Sequence, residues 1–202
     1  MLDAAARKII DPPLNTLGRG LAARGVSADA VTIAGLGLGL IAALLIVFGA
    51  FSAALVFLLA SRVADGLDGA VARATQKTDF GGYLDIAADF LFYGAIPLAF
   101  VLYDAGANGA AGAFLLTSFY FNGTSFLGYA ILAEKAQMQT SAQGKKSLYY
   151  SNGILEGTET IIFFVLLCLF PAYFALMAWI FGALCFVTAG LRIHAARQLF
   201  TT

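Results

Sequence analysis

The sequence predicts an all-α, polytopic membrane protein: six transmembrane helices led by an amphipathic helix that lies in the membrane interface. Three observations predict it. The chain is 60% hydrophobic and only 12% charged, with 22 glycines spread among Leu, Ala and Phe, and its mean hydropathy is +0.85, as in helical membrane proteins. Apolar runs of about 20 residues, the length that crosses a hydrocarbon core, recur from residue 29 to residue 193. Once those runs are threaded through a bilayer, all twelve Lys and Arg fall on one side of it. The chain is expected to form one domain over 1–202, an amphipathic segment 1–25 followed by a helical bundle 26–202. Neither a low-complexity tract nor the inverted repeat of a transporter is visible.

Residues 1–24 do not form a span. Leu2, Ala5, Ile9, Leu14, Leu17 and Leu21 alternate with charges at helix-like intervals, which suits a helix lying in the interface, broken at Pro12-Pro13. Asp3, Asp11 and the two prolines leave no apolar h-region, so no cleavable signal peptide is expected. The six spans are expected over 29–49, 53–75, 82–103, 109–133, 150–170 and 172–193. Turn residues part them at Gly49 to Ser52, at Asp104 to Gly109 and at Pro171. Cys168 and Cys185 sit inside apolar runs and are expected to be small buried hydrophobes rather than a disulfide or metal pair.

The basic residues set the orientation. Arg7, Lys8, Arg19 and Arg24 precede span one, and Arg62, Arg73 and Lys77 lie towards the turn between spans two and three. Lys135, Lys145 and Lys146 lie between spans four and five, and Arg192 and Arg197 close the chain. This asymmetry places both termini, and the turn after span two, in the cytoplasm. Net charge is zero, which gives no footing for a nucleic-acid partner.

Residues 65–89 read DGLDGAVARATQKTDFGGYLDIAAD and hold five aspartates. Asp65 and Asp68 are three apart, and Asp85 and Asp89 four apart, so each pair shares one helix face. The 73–81 segment, with Lys77, Thr78, Asp79 and the first of Gly81-Gly82, is expected to turn span three back on span two, so that the two acidic faces meet. A carboxylate at membrane depth costs roughly 2.5–3.5 kcal/mol, and four together on the order of 10 kcal/mol. Crowded like charges of this kind imply one or two bound divalent cations, and all-oxygen ligands suit a hard ion such as Mg²⁺. Gly69 and Ala72 leave that helix face bare. Arg73, four residues beyond Gly69, adds a fork-shaped donor suited to a phosphate or diphosphate. Metal, arginine and a gap of small residues together point to phosphoryl transfer.

The run Asp65-x-x-Asp68-Gly69-x-x-Ala72-Arg73, seven residues, then Gly81-x-x-x-Asp85-x-x-x-Asp89 resembles the signature of the CDP-alcohol phosphotransferase (CDP-alcohol phosphatidyltransferase) family, and in particular its bacterial inner-membrane members. Eight specified positions at about one in twenty each give chance odds on the order of 10⁻¹⁰ per start. The resemblance implies that Asp65, Asp68, Asp85 and Asp89 hold a pair of divalent ions, Mg²⁺ or Mn²⁺. It makes Asp89 also the general base for the acceptor hydroxyl, and assigns Gly69 and Arg73 to the CDP moiety. Val26 to Thr32 is similar to the family's nucleotide-contacting segment, with Ala28 where relatives often have Pro, which marks Asp29 and Thr32; Thr78 matches a further nucleotide position. The implied reaction moves a phosphatidyl group from CDP-diacylglycerol to an alcohol with release of CMP, in a homodimer of the inner membrane among its lipids. A different CDP-linked donor is the alternative.

Several residues have plainer roles open to them. Asp29 fits an N-terminal cap of span one as well as a ligand contact. Lys77 and Asp79 suit exposed turn charges, and His194, beside Arg192 and Arg197, suits an interfacial residue. At the start of span five, Glu156 and Glu159 are three apart on one face, with Asn152 and Thr158 nearby, and carboxylates in a membrane helix mark function. In the family's plan the acceptor binds around this helix. Two carboxylates suit hydroxyls or an ammonium group, whereas Lys145, Lys146 and Arg192 suit an acceptor phosphate. Inositol or another polyol, glycerol phosphate, serine and an amino alcohol all remain open. The rival class is a cation- or proton-coupled transporter. It needs acids spread along a pathway through several helices, whereas these crowd one hairpin.

Overall fold

The computed structural model describes residues 3–136, 155 and 157–200, and these are helical almost throughout. The helices are α1 (Asp3–Ala23), α2 (Ala28–Val47), α3 (Phe51–Ala74), α4 (Asp79–Tyr103), α5 (Ala105–Lys135), α6 (Gly157–Leu169) and α7 (Phe174–Phe200). A single 3₁₀ turn, Pro171–Tyr173, joins the last two. Among the described residues, three stretches combine the length and apolarity to cross a bilayer: Ala28–Val47, Asp79–Tyr103 and Pro171–Phe200. α3 and α5 have the length, at 24 and 31 residues, but α3 carries Arg62, Asp65, Asp68 and Arg73. The described part of the fifth expected span is α6, 13 residues long.

The bundle is apolar on its outer surface as well as in its core, unlike a water-soluble fold. Phe48 is 76% exposed, and Val56, Leu102, Tyr120 and Leu176 also face outward, as lipid-facing side chains do. The interior is aromatic: Phe92, Phe100, Phe164 and Phe174 are fully buried. Phe100 stacks on Phe174 at 5.0 Å, and Phe92 meets Phe164 edge-on at 5.8 Å. These contacts tie α4, α6 and α7 together, while α2 packs between α3 and α4. Cys168 and Cys185 are buried and unpaired with each other, as expected of small apolar residues.

Local structure differs from expectation at four places. α1 runs unbroken through Pro12 and Pro13. It is clamped on α3: Leu14 is buried against Gly66, and Gly18 rides so close to Ala70 that a Cβ would sit 2.6 Å from the Ala70 Cβ. That packing outweighs the two lost backbone hydrogen bonds. The cap of α2 is Ser27, whose hydroxyl accepts from the Ala30 N–H at 3.2 Å; Asp29 lies in the first turn instead. The 73–81 turn contracts to Thr75–Thr78, with Thr78 capping α4 by accepting from the Gly81 N–H at 3.0 Å. The expected 104–109 turn reduces to Asp104, which caps α5 through the Ala107 N–H at 2.9 Å. The Asn108 amide meanwhile donates to the Phe100 carbonyl at 2.8 Å and so satisfies the end of α4.

Candidate active site at the α2–α3–α4 junction

α3 and α4 present their acids to one another. Carboxylate oxygens of Asp65, Asp68 and Asp85 lie within 4.8 Å of one another. Asp68 is 6% exposed, and its Oδ2 accepts a 2.7 Å hydrogen bond from the Thr32 hydroxyl of α2. The same hydroxyl lies 3.1 Å from the Ala28 carbonyl, and its one proton serves the acid or the carbonyl in turn. With Thr32, Asp65 and Asp68, the residues Gly35, Ser61, Arg62 and Asp89 line a cavity of about 10 Å³, the room of one water or one ion.

Asp89 is held differently from the other three. Its Oδ1 accepts from the Arg62 guanidinium at 2.8 Å, and the same Arg62 nitrogen lies 3.5 Å from Asp65 Oδ1. Arg62 also donates to the Ser61 hydroxyl at 3.2 Å, and its guanidinium lies 3.9 Å above the Phe92 ring. Counting basic residues by topology places Arg62 among the charges nearest the cytoplasm. The structure buries it beneath the acids, with its side chain 10% exposed. Its sequence signal is the i, i+3 relation to Asp65, which puts it on the acidic face one turn earlier.

The nucleotide candidates fall into two groups beside the acids. Asp29 and Thr78 converge on Gly81: a Cβ there would meet Thr78 Oγ1 at 3.0 Å and Asp29 Oδ1 at 3.2 Å. Gly69 neighbours Arg73, whose NH1 would lie 3.3 Å from a Cβ on residue 69. Arg73 is exposed, and it donates twice to Asn15 Oδ1 of α1, at 3.1 and 2.9 Å. Asn15 is a neighbour that only tertiary packing reveals, 58 residues away in sequence.

Of the acceptor candidates, Glu159 lies in the first turn of α6, and Asn152 and Glu156 lie outside the described residues. The start of α6 faces α4: a Cβ on Gly157 would stand 3.7 Å from the Tyr93 hydroxyl, one turn beyond Asp89. Arg192 is buried in α7 and donates to the Asn122 carbonyl, the Asn122 side chain and the Ser125 hydroxyl at 3.1, 2.9 and 2.7 Å. It therefore braces α5 against α7, whereas sequence position alone shows only a basic residue at the end of the last span. His194 is exposed beside Gln198 at 3.1 Å, in keeping with an interfacial residue.

The donor set fits a hard divalent cation. Ligand oxygens of one Mg²⁺ lie at most about 4.2 Å apart, given bonds of 2.0–2.1 Å, so the three acids need only small side-chain rotations to share an ion. All the donors are oxygen, as such an ion prefers.

Residues 26–191 match the family described as CDP-alcohol phosphatidyltransferase. The chain is 47% identical over 193 residues to "Inner membrane protein YnjF" of Escherichia coli (strain K12), covering 96% of this chain and 94% of that one. The fold resembles the Mycobacterium tuberculosis phosphatidylinositol phosphate synthase crystallised with CDP-DAG bound, with a TM-score of 0.67 and 22% identity over 91% of this chain and 93% of that one. The same synthase in complex with manganese and citrate superimposes with a TM-score of 0.66, at 22% identity over 90% and 88% of the two chains.

Proposed function

The chain belongs to the CDP-alcohol phosphatidyltransferase family, and from that premise we propose that it transfers a phosphatidyl group from CDP-diacylglycerol to the hydroxyl of an alcohol, releasing CMP. The observation that carries this proposal is the convergence of Asp65, Asp68 and Asp85, with Asp89 lining one cavity with Asp65 and Asp68. The CDP-DAG and manganese complexes of a protein of the same fold support the donor and the need for a divalent metal.

In this scheme Asp65, Asp68 and Asp85 hold Mg²⁺ or Mn²⁺, and Asp89 completes a site for two ions. Bound there, the metal supplies charge neutralisation on the diphosphate and on the departing CMP. The remaining work belongs to side chains. Thr32 orients Asp68 through its 2.7 Å bond. Gly69 leaves room for the nucleotide backbone to approach α3, Arg73 takes phosphate oxygens, and Asp29 and Thr78 lie at the nucleotide end. The acceptor oxygen forms its bond to the β-phosphorus as the bond to the CMP oxygen breaks. Asp89 receives the hydroxyl proton. The acceptor enters from α6, where Glu159, with Glu156 and Asn152, sets its identity.

The protein spans the membrane six times behind the interfacial α1, with both termini and the acid hairpin in the cytoplasm, and works as a homodimer. Basic residues confined to one side of the threaded chain support that orientation. The test is CMP release by the purified protein given CDP-diacylglycerol and a panel of polyols, glycerol phosphate, serine and amino alcohols, with and without Mg²⁺ or Mn²⁺. Absence of metal-dependent CMP release with every alcohol would refute the proposal.

A further inference from the structure

Arg62 stands outside the aspartate signature, yet it makes the closest side-chain contact to Asp89 that the described residues show. We propose that Arg62 is a positioning residue for the transfer: it pins Oδ1 of Asp89 so that Oδ2 faces the reaction, where it takes the acceptor proton. This rests on the assignment of Asp89 as the base.

Three features make Arg62 more than a surface counter-charge. It is held on several sides: by Asp89 at 2.8 Å, by the Ser61 hydroxyl at 3.2 Å, and by the Phe92 ring at 3.9 Å. Each of those holders is fixed in turn. Ser61 donates to the Gly35 carbonyl of α2 at 2.7 Å, and Phe92 is fully buried against Gly39 of α2. The guanidinium is therefore held from α3 and α4, with its supports fixed on α2, and it meets a carboxylate from the opposite helix. Its Nε is also buried with no hydrogen-bond partner. What sets Arg62 apart is its partner, a carboxylate on the wall of the candidate site.

A carboxylate with both oxygens unrestrained turns about its Cβ–Cγ bond and presents either one. With Oδ1 already accepting from Arg62, Oδ2 keeps both lone pairs and is the better acceptor for a proton or an ion. Positioning of this kind is lost on small displacements, since misplacement by about 1 Å can lower a rate on the order of 10²-fold.

Arg62→Gln and Arg62→Lys, purified in detergent, are compared with wild type in three measurements: CMP release at saturating Mn²⁺, the donor KM, and Mn²⁺ binding followed by electron paramagnetic resonance. The expected result for Arg62→Gln is a fall in kcat of about 10²-fold, a donor KM within about twofold of wild type, and Mn²⁺ affinity equal to or tighter than wild type, because a competing cation has gone. Arg62→Lys, which keeps the charge but not the fork, should recover part of kcat. Unchanged kcat in Arg62→Gln overturns the proposal. So does a parallel loss of kcat, donor affinity and Mn²⁺ binding, which marks a brace between α3 and α4. If Arg62→Gln does not fold, full wild-type kcat in a folded Arg62→Lys overturns it equally. Failure of the underlying reaction looks different: wild type itself then neither binds Mn²⁺ nor releases CMP.

Discussion

Gly39 of α2 touches neither substrate nor metal candidate, yet its substitution should silence the site. A Cβ at residue 39 would lie 2.6 Å from Phe92 Cδ2 and 3.0 Å from Ser61 Oγ. Ordinary contact starts near 3.4 Å, so in Gly39→Ala the ring must retreat by about 0.8 Å. Phe92 carries the Arg62 guanidinium at 3.9 Å, and Ser61 is its other support, so both move together. Overpacking a core costs about 1–3 kcal/mol, while Gly to Ala inside a helix returns about 0.8–1.0 kcal/mol. The net destabilisation is then about 0–2 kcal/mol, too small to unfold the bundle. Activity should suffer more, falling on the order of 10²-fold, because the displacement approaches 1 Å at a group that aims the base. Gly37, two residues earlier on the same helix, has nothing within 4 Å of its would-be Cβ, and Gly37→Ala should be fully active and slightly stabilised. Thermal midpoints in detergent and CMP-release rates for the two variants decide the matter. A fully active Gly39→Ala, or a Gly37→Ala just as impaired, would show that Phe92 does not transmit the strain.

Single Asn substitutions at Asp65, Asp68 and Asp85 should each abolish turnover and weaken Mn²⁺ binding while leaving the thermal midpoint of the metal-free protein intact; near-normal turnover at limiting metal in all three would contradict a shared ion. Asp89→Asn should lose about 10²–10⁴-fold in rate yet keep donor affinity, and equal loss of both would make Asp89 a metal ligand only. Glu156→Gln and Glu159→Gln should raise the acceptor KM at saturating CDP-diacylglycerol without changing donor binding, because a site built to hydrogen-bond hydroxyls or an ammonium group loses its acceptor when neutralised. Acceptor titrations that superimpose on wild type would remove both glutamates from the site.

What the sequence determined by itself is whatever a single helix or a single turn decides. The i, i+3 and i, i+4 spacings of Asp65, Asp68, Asp85 and Asp89 place each pair on one face whatever surrounds them, because helix geometry is local. The hairpin between the two pairs and the apolar length of α2, α4 and α7 are equally local properties, and so is the buried apolar setting of Cys168 and Cys185. Tertiary structure decided everything that depends on how one helix is rotated against another. Pro12-Pro13 should end a helix on its own, but Gly18 and Leu14 lock α1 onto Ala70 and Gly66 of α3. Arg62 reads as one more basic residue until α4 brings Asp89 and Phe92 to it. Asn15 reaches Arg73 across 58 residues of sequence, and Arg192 turns inward to α5. None of these partners lies within four residues of the group it holds, so no periodicity in the chain encodes them. They follow from close helix approaches, which glycine permits at residues 18, 39 and 66 among α1 to α4 and at residue 182 where α7 meets Phe114 and Ser118 of α5.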